Sequence, residues 1–157
     1  MDREQQPRGA AAALVQPDGA GPLWVVTTHL SHLSASDEQR GQARELVEWC
    51  NALRVEQDGC PLLLCGDMNS APESSSQQRG LGAWHIITGH GVGGDELSSW
   101  SDCWETVHGT GAKGGLTCPS HSPRTRIDQF FLPTDLIESQ QQVGGKCSAS
   151  VQVVDMQ

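Results

Sequence analysis

Two short apolar segments, with a helical pattern between them, constrain the fold of this chain most. Residues 23–28, Leu-Trp-Val-Val-Thr-Thr, are rich in β-branched side chains and follow a Gly-Pro turn, which predicts a buried strand. Residues 61–65, Pro-Leu-Leu-Leu-Cys, predict a second short strand. If the two strands lie parallel in one sheet, the helix between them should form a right-handed crossover. The sequence therefore indicates an α/β fold.

The segment between these strands has the pattern of an amphipathic helix. Ser36 is its predicted N-cap, and Gln39, three residues later, is the residue expected to complete a capping box. Asp58-Gly59 is expected to end the helix. Apolar side chains recur between these limits at helical spacing, at Ala43, Leu46, Val47, Cys50 and Leu53.

Polar residues follow both predicted strands directly. His29 ends the first strand, and Gly66-Asp67-Met68-Asn69 follows the second. Parallel strands bring these residues to one edge of the sheet, where ligands bind in open α/β folds. Asp67 offers a base or a metal ligand, and Asn69 offers donors for a charged phosphoryl group. The alternative is that the Gly, Asp and Asn form a strand-ending turn and that the histidine is structural.

The rest of the chain carries weaker signals. The first 22 residues are left as a poorly defined segment, and residues 23–157 are taken as one domain. Beyond the second strand we expect a short helix from about residue 74 that carries Leu81 and Trp84. A Gly-rich loop is expected over 89–115, interrupted by the segment Trp-Ser-Asp-Cys-Trp at 100–104. Further strands are predicted at 127–132 and 151–154.

Charge and cysteine content exclude several classes of function. Ten Lys and Arg against 19 Asp and Glu give a net charge of -9, which argues against broad electrostatic capture of nucleic acid. No apolar run approaches the roughly 20 residues of a membrane helix, so we expect no transmembrane segment. The polar start lacks the features of a secretory signal, and the six cysteines form no Cys-x-x-Cys pair. These features favour reduced thiols and an intracellular location.

Three further groups of residues admit a chemical and a structural interpretation. His29 with His32 has the spacing of metal ligands but no third ligand nearby, so zinc is not expected. Residues 108–115 lack the spacing of a phosphate-binding P-loop and are read as a loop. Asp128 lies on a predicted buried strand, where it either pairs with a nearby Arg or orients a catalytic imidazole.

Five motifs occur in a fixed order along the chain. They are Thr28-His29-Leu30, Gly66-Asp67-Met68-Asn69, Ser101-Asp102-Cys103-Trp104, Gly115-Leu116-Thr117 and Arg126-Ile127-Asp128-Gln129-Phe130-Phe131. In this order they resemble the endonuclease/exonuclease/phosphatase family of DNase I-like phosphodiesterases. That family carries a Thr-His-Leu-like strand end, Gly-Asp-x-Asn, Asp-x-Trp and an Arg-Ile-Asp-Tyr-Ile-Phe-like strand.

The resemblance implies a sandwich of two β-sheets flanked by helices, and hydrolysis of a phosphoester with Mg²⁺ or Mn²⁺. It gives His29 the place of the active-site histidine near the scissile phosphate and Asp67 that of the residue orienting or deprotonating the attacking water. It gives Asn69 the role of steadying the phosphoryl oxygens, and Asp128 that of orienting a second histidine. Asp102 and Trp104 would support the site structurally. The substrate stays open between small molecule, lipid and nucleic acid.

Two family motifs have no counterpart in this sequence. One is the upstream Gln-Glu whose Glu holds the metal, and the other is the terminal Ser-Asp-His. Our leading expectation is therefore a partial phosphoester hydrolase that is inactive or weak by itself, with an incomplete metal site. The alternative is a non-catalytic binding or scaffold remnant of the same fold.

Overall fold

A computed structural model describes residues 7–57, 59–72, 81–90 and 100–142. The elements in this part of the chain, in order, are β1 (Ala10–Val15), β2 (Leu23–His29), α1 (Asp37–Glu56), β3 (Leu62–Asp67), α2 (Ala83–Thr88), β4 (Trp100–Asp102), α3 (Cys103–His108), β5 (Asp128–Pro133) and α4 (Thr134–Gln142). None of the helices described has the length and apolar character needed to span a membrane.

The strands form one mixed sheet in the order β1-β2-β3-β5-β4. β2 and β3 are parallel, which confirms the arrangement predicted from the strand–helix–strand pattern. The pairs β1–β2, β3–β5 and β4–β5 are antiparallel. In the part of the chain that the structure describes there is this one sheet, and the second sheet of the expected sandwich is not among the elements described there.

Helix α1 begins where the sequence predicts it. The Ser36 hydroxyl accepts a hydrogen bond from the Gln39 backbone N–H at 3.1 Å, so Ser36 is the N-cap. The reciprocal half of the predicted capping box is absent, because the Gln39 side chain binds the Ala35 N–H instead of that of Ser36. The helix ends at Glu56, with Gln57 as C-cap, next to the predicted stop.

The hydrophobic core lies between α1 and alternate residues of the central strands. Val26 of β2, Leu64 of β3 and Phe131 of β5 are fully buried. They share one cluster with the apolar positions of α1 that the helical spacing predicts: Ala43, Leu46, Val47 and Cys50 are buried, and Leu53 packs against them. Burial raises the pKa of the Cys50 thiol to about 12, so this thiol is a packing group. The core therefore fixes α1 on the sheet close to the end of β2.

Several elements differ from the sequence predictions. Ala10–Val15, which the sequence left unassigned, forms β1 on an edge of the sheet. β3 continues two residues beyond the predicted strand, to Asp67. The interrupted loop contains α3 as well as β4. Trp84 lies on a short helix, but α2 begins at Ala83 with Gly82 as its N-cap, so Leu81 precedes the helix and the prediction that one helix carries both residues is wrong. Residues 74–78 and the strand expected at 151–154 fall outside the described residues.

Candidate active site

Three of the predicted site residues form a row across three adjacent strands. His29 of β2 pairs in register with Asp67 of β3, and Asp67 pairs in register with Asp128 of β5. Neighbouring strands lie about 4.8 Å apart, so the row is a continuous line of side chains at one edge of the sheet. The His29 side chain is 58% exposed and that of Asp67 is 29% exposed, which leaves both within reach of a ligand.

The two carboxylate oxygens of Asp67 have different partners. Oδ1 accepts a hydrogen bond from the Asn69 backbone N–H at 2.9 Å, which closes an Asx turn. Oδ2 lies 3.5 Å from Nε2 of His29. The sequence allowed either a turn or a chemical role for this aspartate, and the geometry accommodates both in one side chain.

Asn69 has a left-handed backbone conformation and a side chain directed back to β2. Its φ is 48°, a region that Asn tolerates better than most residues. Its Nδ2 donates to the Leu30 carbonyl at 3.0 Å. A carboxamide nitrogen carries two hydrogens, and this contact uses one of them. Asn69 thus ties the turn after β3 to the residue that follows His29.

Gly66 is required by the approach of β3 to β2. Its φ is 141°, and a Cβ built at this position would lie 2.0 Å from the Thr28 carbonyl oxygen. No side chain can occupy that space without moving backbone. The glycine of the Gly-Asp-x-Asn motif therefore permits the close strand pairing that brings Asp67 beside His29.

Asp128 differs from its predicted environment. The sequence predicts a buried Asp128 that either pairs with a nearby Arg or orients an imidazole, but Asp128 is exposed. The nearby Arg126 instead pairs with Asp102, with Nη1 and Oδ2 2.7 Å apart. The Asp128 backbone N–H donates to Oγ1 of Thr117 at 3.2 Å, which connects β5 to the Gly115-Leu116-Thr117 motif.

Asp102 and Trp104 support the structure around the site, as the resemblance implies. Asp102 Oδ2 also accepts from Trp84 Nε1 at 2.7 Å, and its Oδ1 caps α3 at the Trp104 N–H. The Trp104 ring packs against the backbone of Gly114 and Gly115, where a Cβ on Gly115 would lie 2.8 Å from the indole. These contacts fix the loop before Thr117.

Two buried glutamines were not predicted to belong to the site. Gln39 and Gln129 are almost fully buried, and the side chains of both bind backbone of the residues that follow β3. One signal in the sequence was available: Gln39 stands one turn before Ala43 on the apolar face of α1, and Gln129 alternates with Phe131 on β5. A polar residue at a core position must find hydrogen-bond partners.

The described residues do not fit a complete Mg²⁺ or Mn²⁺ site. No group of three or more His, Cys, Asp or Glu side chains within 7–57, 59–72, 81–90 and 100–142 is arranged to hold a metal ion. Asp67 and Asp128 are hard oxygen donors, but Oδ1 of Asp67 already accepts one hydrogen bond in the turn and Oδ2 lies 3.5 Å from Nε2 of His29. The row therefore supplies part of a ligand set at most.

A family model described as the Endonuclease/Exonuclease/phosphatase family matches residues 4–150 of the 157-residue chain. The chain belongs to this family. The resemblance to this family that the five ordered motifs indicate is thereby confirmed. No curated protein matches the sequence significantly.

Solved structures share the fold of this family member. The human Nocturnin catalytic domain with bound sulfate anion has 17% identity and a TM-score of 0.52, over 82% of this chain and 42% of its own. ANGEL2, a 2',3'-cyclic phosphatase in complex with adenosine-2',3'-vanadate, has 23% identity and a TM-score of 0.51, over 80% and 49%. The chain thus spans less than half the length of these two structures, and both confirm a DNase I-like fold.

Proposed function

We propose that this chain carries part of the active site of a phosphoester hydrolase, and that the 157 residues alone turn over substrate weakly. The observation that carries the proposal is the Asp67 carboxylate, which is fixed by its own turn through one oxygen and directed at the His29 imidazole through the other. A carboxylate beside an imidazole at an open sheet edge can move protons between water and a bound ester.

Two residues of the row, Asp67 and His29, and the adjacent Asn69 have roles in the proposed reaction. Asp67 takes the proton of the attacking water while the water oxygen bonds to phosphorus and the ester oxygen departs. His29 is the member of the row that can carry positive charge, so it faces the phosphoryl oxygens. Asn69 donates its second Nδ2 hydrogen to the same group without adding negative charge.

The proposed weakness follows from charge. Asp67 and Asp128 lie opposite each other on neighbouring strands, and like charges in that position repel each other and a phosphoester alike. A divalent metal would offset this repulsion, and the resemblance to the family implies one, but the described residues do not complete its site. We therefore expect turnover well below the roughly 1–10³ per second of typical enzymes.

Hydrolysis of bis(4-nitrophenyl) phosphate by the purified 157-residue chain tests the proposal, with and without added MgCl2. We expect slow release of nitrophenolate that falls by about 10²-fold or more in Asp67→Ala, the usual range for loss of a general base. Asp18→Ala is the matched control, because Asp18 lies in the exposed turn between β1 and β2. Equal rates in wild type and Asp67→Ala would refute the catalytic role, whereas a wild-type rate above about one per second would refute the weakness.

A non-catalytic binding domain is the second candidate, and the incomplete ligand set among the described residues favours it. It predicts cooperative thermal unfolding together with binding of phenyl phosphate that shifts the NMR signals of His29 and Asn69, without turnover. Broad, non-cooperative unfolding of the chain would contradict this candidate.

A further inference from the structure

Two buried side-chain amides hold the turn that follows β3. Gln39 of α1 is fully buried, and Gln129 of β5 is 2% exposed. Gln39 Nε2 donates to the carbonyl oxygens of Met68 at 3.2 Å and Asn69 at 3.1 Å. Gln129 Nε2 donates to the Ser70 carbonyl at 2.7 Å. Three successive carbonyls of the turn are therefore bound by two amides from different elements.

Gln39 also connects this turn to two other segments. Its Nε2 donates to the Ser31 carbonyl at 2.9 Å, in the loop that follows β2. Its Oε1 accepts from the backbone N–H of Ala35 at 2.9 Å and of Ala83 at 3.2 Å, the latter at the start of α2. Since Nε2 has two hydrogens for three acceptors, one hydrogen is shared. One side chain thus joins the segments that follow β2 and β3.

The burial of these amides has a cost that packing alone does not explain. Oε1 of Gln129 has no hydrogen-bond partner within the described part of the chain. A buried oxygen without a partner is unfavourable, so the two Nε2 bonds of Gln129, to Ser70 and Arg126, must offset it. An apolar residue in place of Gln129 would avoid this cost but would leave the Ser70 carbonyl of the turn without this hydrogen-bond donor. The buried glutamine therefore holds the turn although an apolar side chain would suit the core better.

We propose that Gln39 and Gln129 are positioning residues of the candidate active site. They hold the turn so that the Asp67 carboxylate faces His29 and the Asn69 amide faces the same edge. The turn needs such support because Asn69 has a backbone conformation that an unrestrained chain seldom adopts. The inference deepens the proposed hydrolase function and rests on it for the chemical purpose of the geometry.

Amide hydrogen exchange of the 157-residue chain with Gln39→Met tests this role. Methionine has a similar volume and no hydrogen-bonding amide. Two reporters lie at the site: the Asn69 N–H donates to Oδ1 of Asp67, and the Leu30 N–H donates to the Asp67 carbonyl. A third reporter, the Trp24 N–H, donates to the Pro61 carbonyl at the far end of the same strand pair. We expect about tenfold faster exchange at the two site amides and less than threefold at Trp24.

Gln42→Met is the matched control on the same helix. The Gln42 side chain binds the Ser31 N–H and Glu38 but not the turn after β3, so the Asn69 amide should exchange as in wild type. Gln129→Met, which releases only Ser70 and Arg126, is the second variant and is measured in the same way if Gln39→Met does not fold. We expect it to accelerate exchange at Asn69 more than at Trp24.

Uniform acceleration at Asn69, Leu30 and Trp24 would show general destabilisation and overturn the positioning role, as would unchanged exchange at Asn69. Where wild type turns over substrate, Gln39→Met should lower kcat about tenfold with KM nearly unchanged, and Gln42→Met should change neither. Absence of wild-type turnover would contradict the proposed function, whereas the exchange comparison would still decide whether the two glutamines hold the turn.

Discussion

Gly66→Ala is expected to be among the most damaging single changes in this chain. The added Cβ would lie 2.0 Å from the Thr28 carbonyl oxygen, whereas ordinary contacts begin near 3.4 Å. Relief of this clash must move the backbone of β2 or β3, because neither atom belongs to a flexible side chain. A φ of 141° is also outside the range that L-residues favour.

The magnitude follows from two contributions. Holding a non-glycine residue in such a conformation costs about 1–3 kcal/mol. Separation of the strands weakens one or two backbone hydrogen bonds, each worth about 0.5–1.5 kcal/mol net. We therefore expect Gly66→Ala to lower the free energy of unfolding by about 1.5–6 kcal/mol. At about 2–4 °C per kcal/mol for a domain of this size, Tm should fall by about 3–24 °C.

Urea unfolding followed by circular dichroism measures this loss, with Gly41→Ala as the matched control. Gly41 lies inside α1, and a Cβ there would meet no atom within 4 Å. Alanine should therefore stabilise the helix by about 0.5–1 kcal/mol. The two alanine substitutions thus have opposite expected signs. A loss below 1 kcal/mol in Gly66→Ala would refute the argument that close strand pairing requires this glycine.

Two further predictions concern the surroundings of the site. Asp102→Asn should destabilise the fold by about 3–5 kcal/mol, because it leaves Arg126 buried without its counter-charge. Asp135→Asn, in the more exposed pair with Arg54, is the control and should cost less than about 1 kcal/mol. Thermal unfolding of the two variants measures both losses. Burial, followed by the charge of His90, lowers the pKa of His85, so the unfolded chain takes up a proton first as the pH falls. The free energy of unfolding should therefore decline below about pH 6.5, by up to about 1.4 kcal/mol per pH unit. Unfolding measured from pH 7.5 to 5 should show a shallower decline in His85→Gln. Equal slopes in the two proteins would contradict this role of His85.

Local patterns in the sequence predicted the part of the fold that local patterns can specify. The apolar spacing of α1 and the short runs of β2 and β3 each follow from residues a few positions apart. The parallel pairing then brought His29 and Asp67 together, since both follow strands joined by one helix. β1 escaped prediction because its four alanines have little strand preference and gain their structure from pairing with β2.

Partners distant in sequence could not be predicted. Arg126 lies two positions before Asp128 in the sequence, but the ion pair of Arg126 is with Asp102, 24 positions earlier. The pairing of β4 with β5 brings Asp102 close to Arg126. The helical pattern likewise predicted where Gln39 lies on α1, but its hydrogen bonds reach Met68 and Asn69, about 30 residues away. Hydrogen-bond capacity in a core is a global property, so a capping pattern alone does not reveal it.

The row formed by His29, Asp67 and Asp128 makes the site a product of strand register. Successive residues of a strand point to opposite faces, so a slip of one residue between β2 and β3 would send one side chain of the pair to the other side of the sheet. An insertion in a loop outside the paired strands leaves this register unchanged, whereas a single insertion within β3 shifts it. The proposed site therefore forms when the strands pair, and it depends on the number of residues between Leu62 and Asp67 as well as on the side chains of the row.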